Sequence, residues 1–296
     1  MVSWGLQSRR GVLRTALASA ASVISPAAWS ADPAAAFRGI PKSMWVWKTA
    51  LEELPEMEAF ATAWRIERVL LSLSPRVLDQ IKAREDGLDP VRKLRDAGLG
   101  VFALSGDPEW LRQQELPRTL ARIIDMAPGT FDGLALDVEP QALAAWHTGS
   151  RPELLQALIQ FLDRVRARAG HLPVGAALNP VYANIPLGAG GGNALEALCR
   201  RLDFVSLMAY RNQPEAAVGW AKPAAEILDK AGVSWSLGVL VHASNEKRTS
   251  YFGSDRSAFL SDMVRLHGLM SGRFQAAYKG LIFEDYRGLR KILEGA

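Results

Sequence analysis

The chain has one cysteine, Cys199, and four histidines in 296 residues. A single cysteine excludes an intramolecular disulfide, and its place in the helix-like run ALCRRLDF suits a buried small hydrophobe. The histidines, His147, His171, His242 and His267, are scattered and form no H-x-H or H-E-x-x-H spacing, so no metal site is expected. No G-x-G-x-x-G follows the first strand-like run, which removes the dinucleotide fingerprint. The glycines of Gly188–Gly192 lack the Lys-Ser/Thr of a phosphate-binding loop. No cofactor is therefore implied. No linker rich in Pro, Gly or Ser divides the chain, and beyond the N-terminus no second candidate membrane span occurs.

The N-terminus carries Arg9, Arg10 and Arg14 ahead of a mildly apolar stretch from Thr15 to about Ile24 and a small-residue zone, Ala27 to Ala31. Paired arginines before a short apolar region are the pattern of a twin-arginine export signal. The stretch is too short and too rich in Ala and Ser to span a bilayer. Residues 1–31 are thus expected to be an export signal, and 32–296 a single domain working in the periplasm or outside the cell. Losing three arginines and no acid lowers the net charge from +4 to +1. The mature chain then lacks the basic excess that nucleic-acid binding requires, and no nucleic-acid partner is expected.

Past this leader, short apolar runs alternate with longer segments of helical period. The strand-like runs are Met44–Trp47, Arg68–Leu73, Val101–Leu104, Gly133–Val138, Val174–Leu178, Phe204–Met208, Ser236–Val241 and Gly280–Phe283. Between them lie helical stretches such as Glu52–Ala63, Asp89–Ala97, Leu116–Met126, Pro152–Ala169, Ala194–Arg201, Ala216–Ala231 and Ser257–Leu269. Eight strand-then-helix repeats predict an α/β fold, a parallel (β/α)8 TIM barrel, with a doubly wound open sheet as the alternative.

In a barrel the site lies at the carboxyl ends of the strands. Collecting the residues there yields Trp47, Ser74, Asp107 with Glu109 and Trp110, Asp137 with Glu139, Asn179 with Tyr182, Tyr210 with Arg211 and Asn212, His242, and Glu284 with Asp285 and Tyr286. Flat apolar rings beside acids, amides and an arginine suit a sugar, which offers a face to stack on and hydroxyls to bind. Trp146 is a further candidate platform, and the Gly188–Gly192 loop is expected over the mouth.

The most informative segment is Phe131–Pro140, FDGLALDVEP. Strand geometry points Ala135, Asp137 and Glu139 to one face and Leu134, Leu136 and Val138 to the other. Two same-face carboxyls roughly 6–7 Å apart along the strand raise each other's pKa, which is how an acid is kept protonated near neutral pH.

This segment resembles the active-site strand of chitinase-like glycoside hydrolases of family 18, roughly Asp-Gly-x-Asp-x-Asp-x-Glu. The match runs from Asp132 and Gly133 to Asp137 and Glu139, with Ala135 in place of the innermost acid. A second match is Met208, Ala209, Tyr210, similar to the Met-x-Tyr element, followed here by Arg211 and Asn212 where the family has Asp. The MAYRN form and the late strand GLIFEDYRGL are also similar to a secreted bacterial group of glycoside-hydrolase-like barrels. The resemblance implies hydrolysis of a polysaccharide or oligosaccharide, with Glu139 as general acid and Asp137 and Tyr210 supporting it by holding the reacting acetamido group. With Ala135, Asp137 is expected to be more readily ionised or paired with another group. A protein carboxylate from Asp107, Glu109, Glu284 or Asp285 is the alternative to acetamide assistance. A non-catalytic carbohydrate-binding barrel is the alternative to an enzyme.

Overall fold

The structure, a computed structural model, describes residues 32–84, 86–188 and 192–295. The expected export signal and the middle of the Gly188–Gly192 loop lie outside these residues. The chain divides into two units, Met1–Asp32 and Pro33–Ala296. The second contains eight strands: β1 Lys42–Val46, β2 Arg68–Ser72, β3 Gly100–Ser105, β4 Gly133–Leu136, β5 Val174–Leu178, β6 Phe204–Leu207, β7 Ser234–Leu240 and β8 Tyr278–Glu284. Each pairs in parallel with the next, and β8 returns to β1 with Lys42 opposite Leu281 and Met44 opposite Phe283. That last pairing closes the ring and decides between the barrel and the open sheet.

The helices among the described residues are α1 Pro33–Arg38, α2 Leu54–Trp64, α3 Pro75–Ala83, α4 Asp89–Asp96, α5 Arg118–Met126, α6 Ala144–His147, α7 Arg151–Ala169, α8 Ala194–Cys199, α9 Pro214–Ala231, α10 Arg256–Ser271 and α11 Tyr286–Glu294. In α7, Leu155, Leu158, Ile159, Leu162 and Val165 form the buried stripe that the helical period requires. Each such side chain contributes about 1.5–3 kcal/mol when fully buried. Cys199 is buried in this layer, as expected. No described helix is long and apolar enough to cross a membrane.

Strand alternation separates two apolar layers. Leu134, Leu136 and Val138 belong to the layer between sheet and helices, while Trp45, Leu70, Phe102, Ala135, Ala177, Phe204, Met208 and Ile282 fill the ring. Toward the amino ends of the strands, Phe102 and Phe204 meet edge to face at 5.0 Å. The Arg68 guanidinium covers both, 4.7 and 5.6 Å from their centroids. A Cβ at Gly175 would lie 2.2 Å from the Phe204 ring, so β5 has room only for glycine there. The space left at this end is about 10 Å³, enough for about one water. Beneath it the buried Lys42 ammonium donates to the carbonyls of Phe37, Arg38 and Ile40, satisfying the end of α1. The ring interior is thus plugged at its amino-terminal end, which leaves the other mouth as the way into the barrel.

Candidate active site

At the carboxyl end of β4 the strand parity carries past Leu136. Val138 stays in the outer layer, while Asp137 and Glu139 turn to the mouth. Asp137 still donates its backbone N–H to the Ser105 carbonyl, 3.0 Å away, so the last ladder bond holds it in strand geometry. Gly106 makes this approach possible: a Cβ there would lie 1.9 Å from the Asp137 carbonyl oxygen. Asp132, the first acid of the motif, serves the other end of the strand, accepting from the Val101 N–H at 2.7 Å and pairing with Arg95 at 2.9 Å.

The Asp137 Oδ1 is buried and has no hydrogen-bond partner. Burial, then the charges of Glu139 and Glu284, push Asp137 well above the ordinary carboxylate range. Glu139 is also raised, by burial and then by Glu284. Of the two expectations attached to Ala135, easier ionisation of Asp137 is not met, since its carboxyl is pushed up. Burial overrides the missing neighbour.

Behind Glu139 is a short relay. Gln141 donates to Glu139 Oε2 and accepts from the Tyr182 hydroxyl. Tyr182 is buried, 5.8 Å from the Trp146 ring, so it positions Gln141 and does not face the mouth. On the other side Glu284, the last residue of β8, accepts from Trp47 Nε1 at 3.2 Å and from the Tyr210 hydroxyl, and pairs with His242 Nε2 at 3.5 Å. They come from just past β1, β6 and β7. The contact with Glu284 pushes His242 up to about 9, so it is cationic at neutral pH. Burial and then Glu284 raise the Tyr210 hydroxyl well above its ordinary value, which keeps it a donor.

Glu139, Gln141, Asn179, Tyr210, Arg211, Trp220, His242 and Glu284 share a cavity of about 380 Å³. That lies in the range of small-ligand clefts, roughly 300–1,000 Å³. Asn179 also caps the turn Pro180–Asn184 by accepting from the Val181 N–H at 3.0 Å. The Arg211 guanidinium rests 5.0 Å over the Trp220 ring and donates to the Tyr210 carbonyl at 2.7 Å.

Other residues collected from the strand ends are not at this cavity. Asp107 is exposed and caps the turn Pro108–Arg112 by accepting from the Glu109 N–H. Trp110 is buried 6.1 Å from the Phe161 ring under α7, and Glu109 pairs with Arg112. Trp146 is buried in the same outer layer. Asp285 caps α11 by accepting from the Gly288 N–H at 3.0 Å, and Tyr286 packs on Phe60 at 5.4 Å. These segments turn outward into helices as soon as the strand ends, which carries the side chains away from the mouth. Strand-end reasoning missed Gln141, Gly106 and Trp220. Gln141 lies in the turn Pro140–Ala142, where strand parity no longer applies, and Trp220 lies on α9, so neither left a strand-end signal.

Among the described residues no cluster of three or more His, Cys, Asp or Glu is placed to hold a metal ion. No family model matches the sequence, and no curated protein does. Solved structures do match. A family 18 chitinase from Pseudoalteromonas aurantia is 13% identical, with 86% of this chain and 100% of that chain covered and a TM-score of 0.55. The spore cortex-lytic enzyme SleL of Bacillus cereus is 12% identical over 86% of this chain and 74% of that chain, with a TM-score of 0.53. At such identities the likeness is one of fold, and the chain has the closed (β/α)8 barrel of the family 18 chitinases, in a divergent form.

Proposed function

We propose that the chain hydrolyses a glycosidic bond in an oligosaccharide or polysaccharide, with Glu139 as general acid. The observation that carries this reading is Glu139 on the wall of the 380 Å³ cavity with Asp137 behind it, both carboxyls raised above the ordinary range chiefly by burial. A binding surface has no need of a protonated carboxyl, whereas glycoside hydrolysis begins by protonating the leaving oxygen as an oxocarbenium-like transition state develops. Asp137 supports the acid as its buried neighbour, and Gln141, which donates to Glu139 Oε2, aims it. Trp47 and the stacked Arg211 and Trp220 offer the faces a sugar ring packs on. The solved neighbours named above act, by name, on chitin and on spore cortex, and their shared fold supports a glycan substrate. The paired arginines Arg9 and Arg10 support export by the twin-arginine pathway, to where such glycans lie.

The test is a screen of soluble glycans with the purified protein and its Glu139→Gln variant. Product formation by the wild type that the variant loses, with an unchanged melting temperature, is the expected result. Glycan binding without turnover, indifferent to Glu139→Gln, would identify a carbohydrate-binding barrel instead.

A further inference from the structure

We propose that Glu284 is the second catalytic carboxylate of this site, attacking the anomeric carbon directly, so that the reacting sugar needs no 2-acetamido group. This rests on the hydrolase reading of the same cavity and names the group that must stabilise the anomeric carbon opposite the acid.

Ring geometry supplies the first support. Glu139 follows β4 and Glu284 ends β8, and in a closed ring of eight strands in sequential order these are half a turn apart. Both line the one cavity. A glycosidic bond held between them would have a carboxyl on either side, the arrangement that two-carboxylate hydrolysis requires.

The donors around Glu284 are the second support. Trp47 Nε1 and the Tyr210 hydroxyl donate to it and His242 Nε2 pairs with it, which fixes its plane. A carboxylate offers about four lone-pair sites, so these partners leave room for the anomeric carbon. Burial first, then neighbouring carboxyls including Glu284, raise Asp137 and Glu139. The site thus sets a raised acid on one side against a carboxylate held by donors on the other, the division of labour that acid and nucleophile need.

The third support is what is committed elsewhere. An acetamide-assisted route would need the Tyr210 hydroxyl for the substrate, yet that hydroxyl donates to Glu284. It would also use the inner acid, which is Ala135 in this chain.

In the first step a Glu284 lone pair forms the bond to the anomeric carbon as the bond to the glycosidic oxygen breaks and the Glu139 proton passes to that oxygen. In the second, Glu139 takes a proton from water, the water oxygen bonds to the anomeric carbon, and the ester bond breaks, returning its electron pair to Glu284. One water is consumed and both carboxyls regain their starting states.

The test compares the wild type with Glu284→Ala, Glu284→Gln and Glu139→Gln. The probes are soluble glucans, mannans, xylans and chitosan, beside N-acetylated chitin oligosaccharides. Expected results are cleavage of at least one glycan without acetamido groups, with retained anomeric configuration by proton NMR. Both Glu284 variants should lose on the order of 10³-fold or more in turnover. Added azide should revive Glu284→Ala and yield a glycosyl azide. Glu284→Gln, nearly isosteric, carries the comparison if the alanine variant does not fold. Cleavage confined to N-acetylated glycans, absence of the azide adduct, or retention of about a tenth of the activity or more by the Glu284 variants overturns the inference. If Glu139→Gln is then inactive, the hydrolase reading survives alone. A wild type inactive on every probe overturns both.

Discussion

Replacing Glu284 with Gln should return His242 to ordinary titration, and this can be followed without any substrate. In the intact protein His242 Nε2 lies 3.5 Å from Glu284 Oε1, and its Nδ1 lies 2.9 Å from the Ala243 carbonyl oxygen. The first of these is the larger cause that pushes the imidazole from 6.5 up to about 9. Each unit corresponds to about 1.4 kcal/mol between the protonation states, so the gap corresponds to roughly 3.4 kcal/mol before screening. The side chain is 44% exposed, and solvent reduces the contribution of such a pair to about 1 kcal/mol. A folded pKa above the unfolded one means that this stabilisation is complete below pH 6.5 and is lost as pH rises through about 9. Lys42, lowered by burial to about 8, gives a slope of the opposite sign in an overlapping window. The informative quantity is therefore the difference between wild type and Glu284→Gln. Imidazole NMR titration reads His242 directly, and urea unfolding at about pH 6 and about pH 9.5 reads the energy. A wild-type His242 that titrates near 6.5, or one unmoved by the substitution, refutes the pairing and with it the charge separation assigned to the site.

Glu139→Gln should lower kcat/KM about 10²–10⁴-fold, some 3–5.5 kcal/mol of transition-state stabilisation, while the melting temperature holds; turnover within a factor of about three would remove Glu139 as the acid. Gln141→Ala deletes the donor that lowers the Glu139 pKa. The alkaline limb of the pH–rate profile, where the acid loses its proton, should then move upward, and a stationary limb would show that the relay does not set the acid. Gly106→Ala forces a Cβ to within 1.9 Å of the Asp137 carbonyl oxygen, so the ends of β3 and β4 must part. A loss of about 1–3 kcal/mol is expected, together with reduced turnover; a melting temperature within about a degree of wild type would contradict this close approach.

How legible the site was depended on distance along the strand. The alternation that sends Asp137 and Glu139 to the mouth is backbone geometry, so it could be read before any coordinates and holds in the structure. Where the chain turns into a helix that rule stops applying. Glu284 faces the cavity while its neighbour Asp285 caps α11, and Asp107 caps a turn in the same way. Trp110 and Tyr286 are apolar enough for either environment, and they went to the outer layer because the chain there enters a helix.

Local pattern alone determined the eight strands, most of the helices between them, and the pair of carboxyls on one face of β4, because the periods of 2 and 3.6 residues follow from backbone geometry and apolar spacing. Only the tertiary structure decided that the sheet closes through β8 and β1. Closure is what brings Glu284, Trp47, Tyr210 and His242 together from four different strand ends, and what turns a plain carboxyl pair into one raised by burial. Such convergence depends on hydrogen bonds between segments more than 200 residues apart, which no local period encodes.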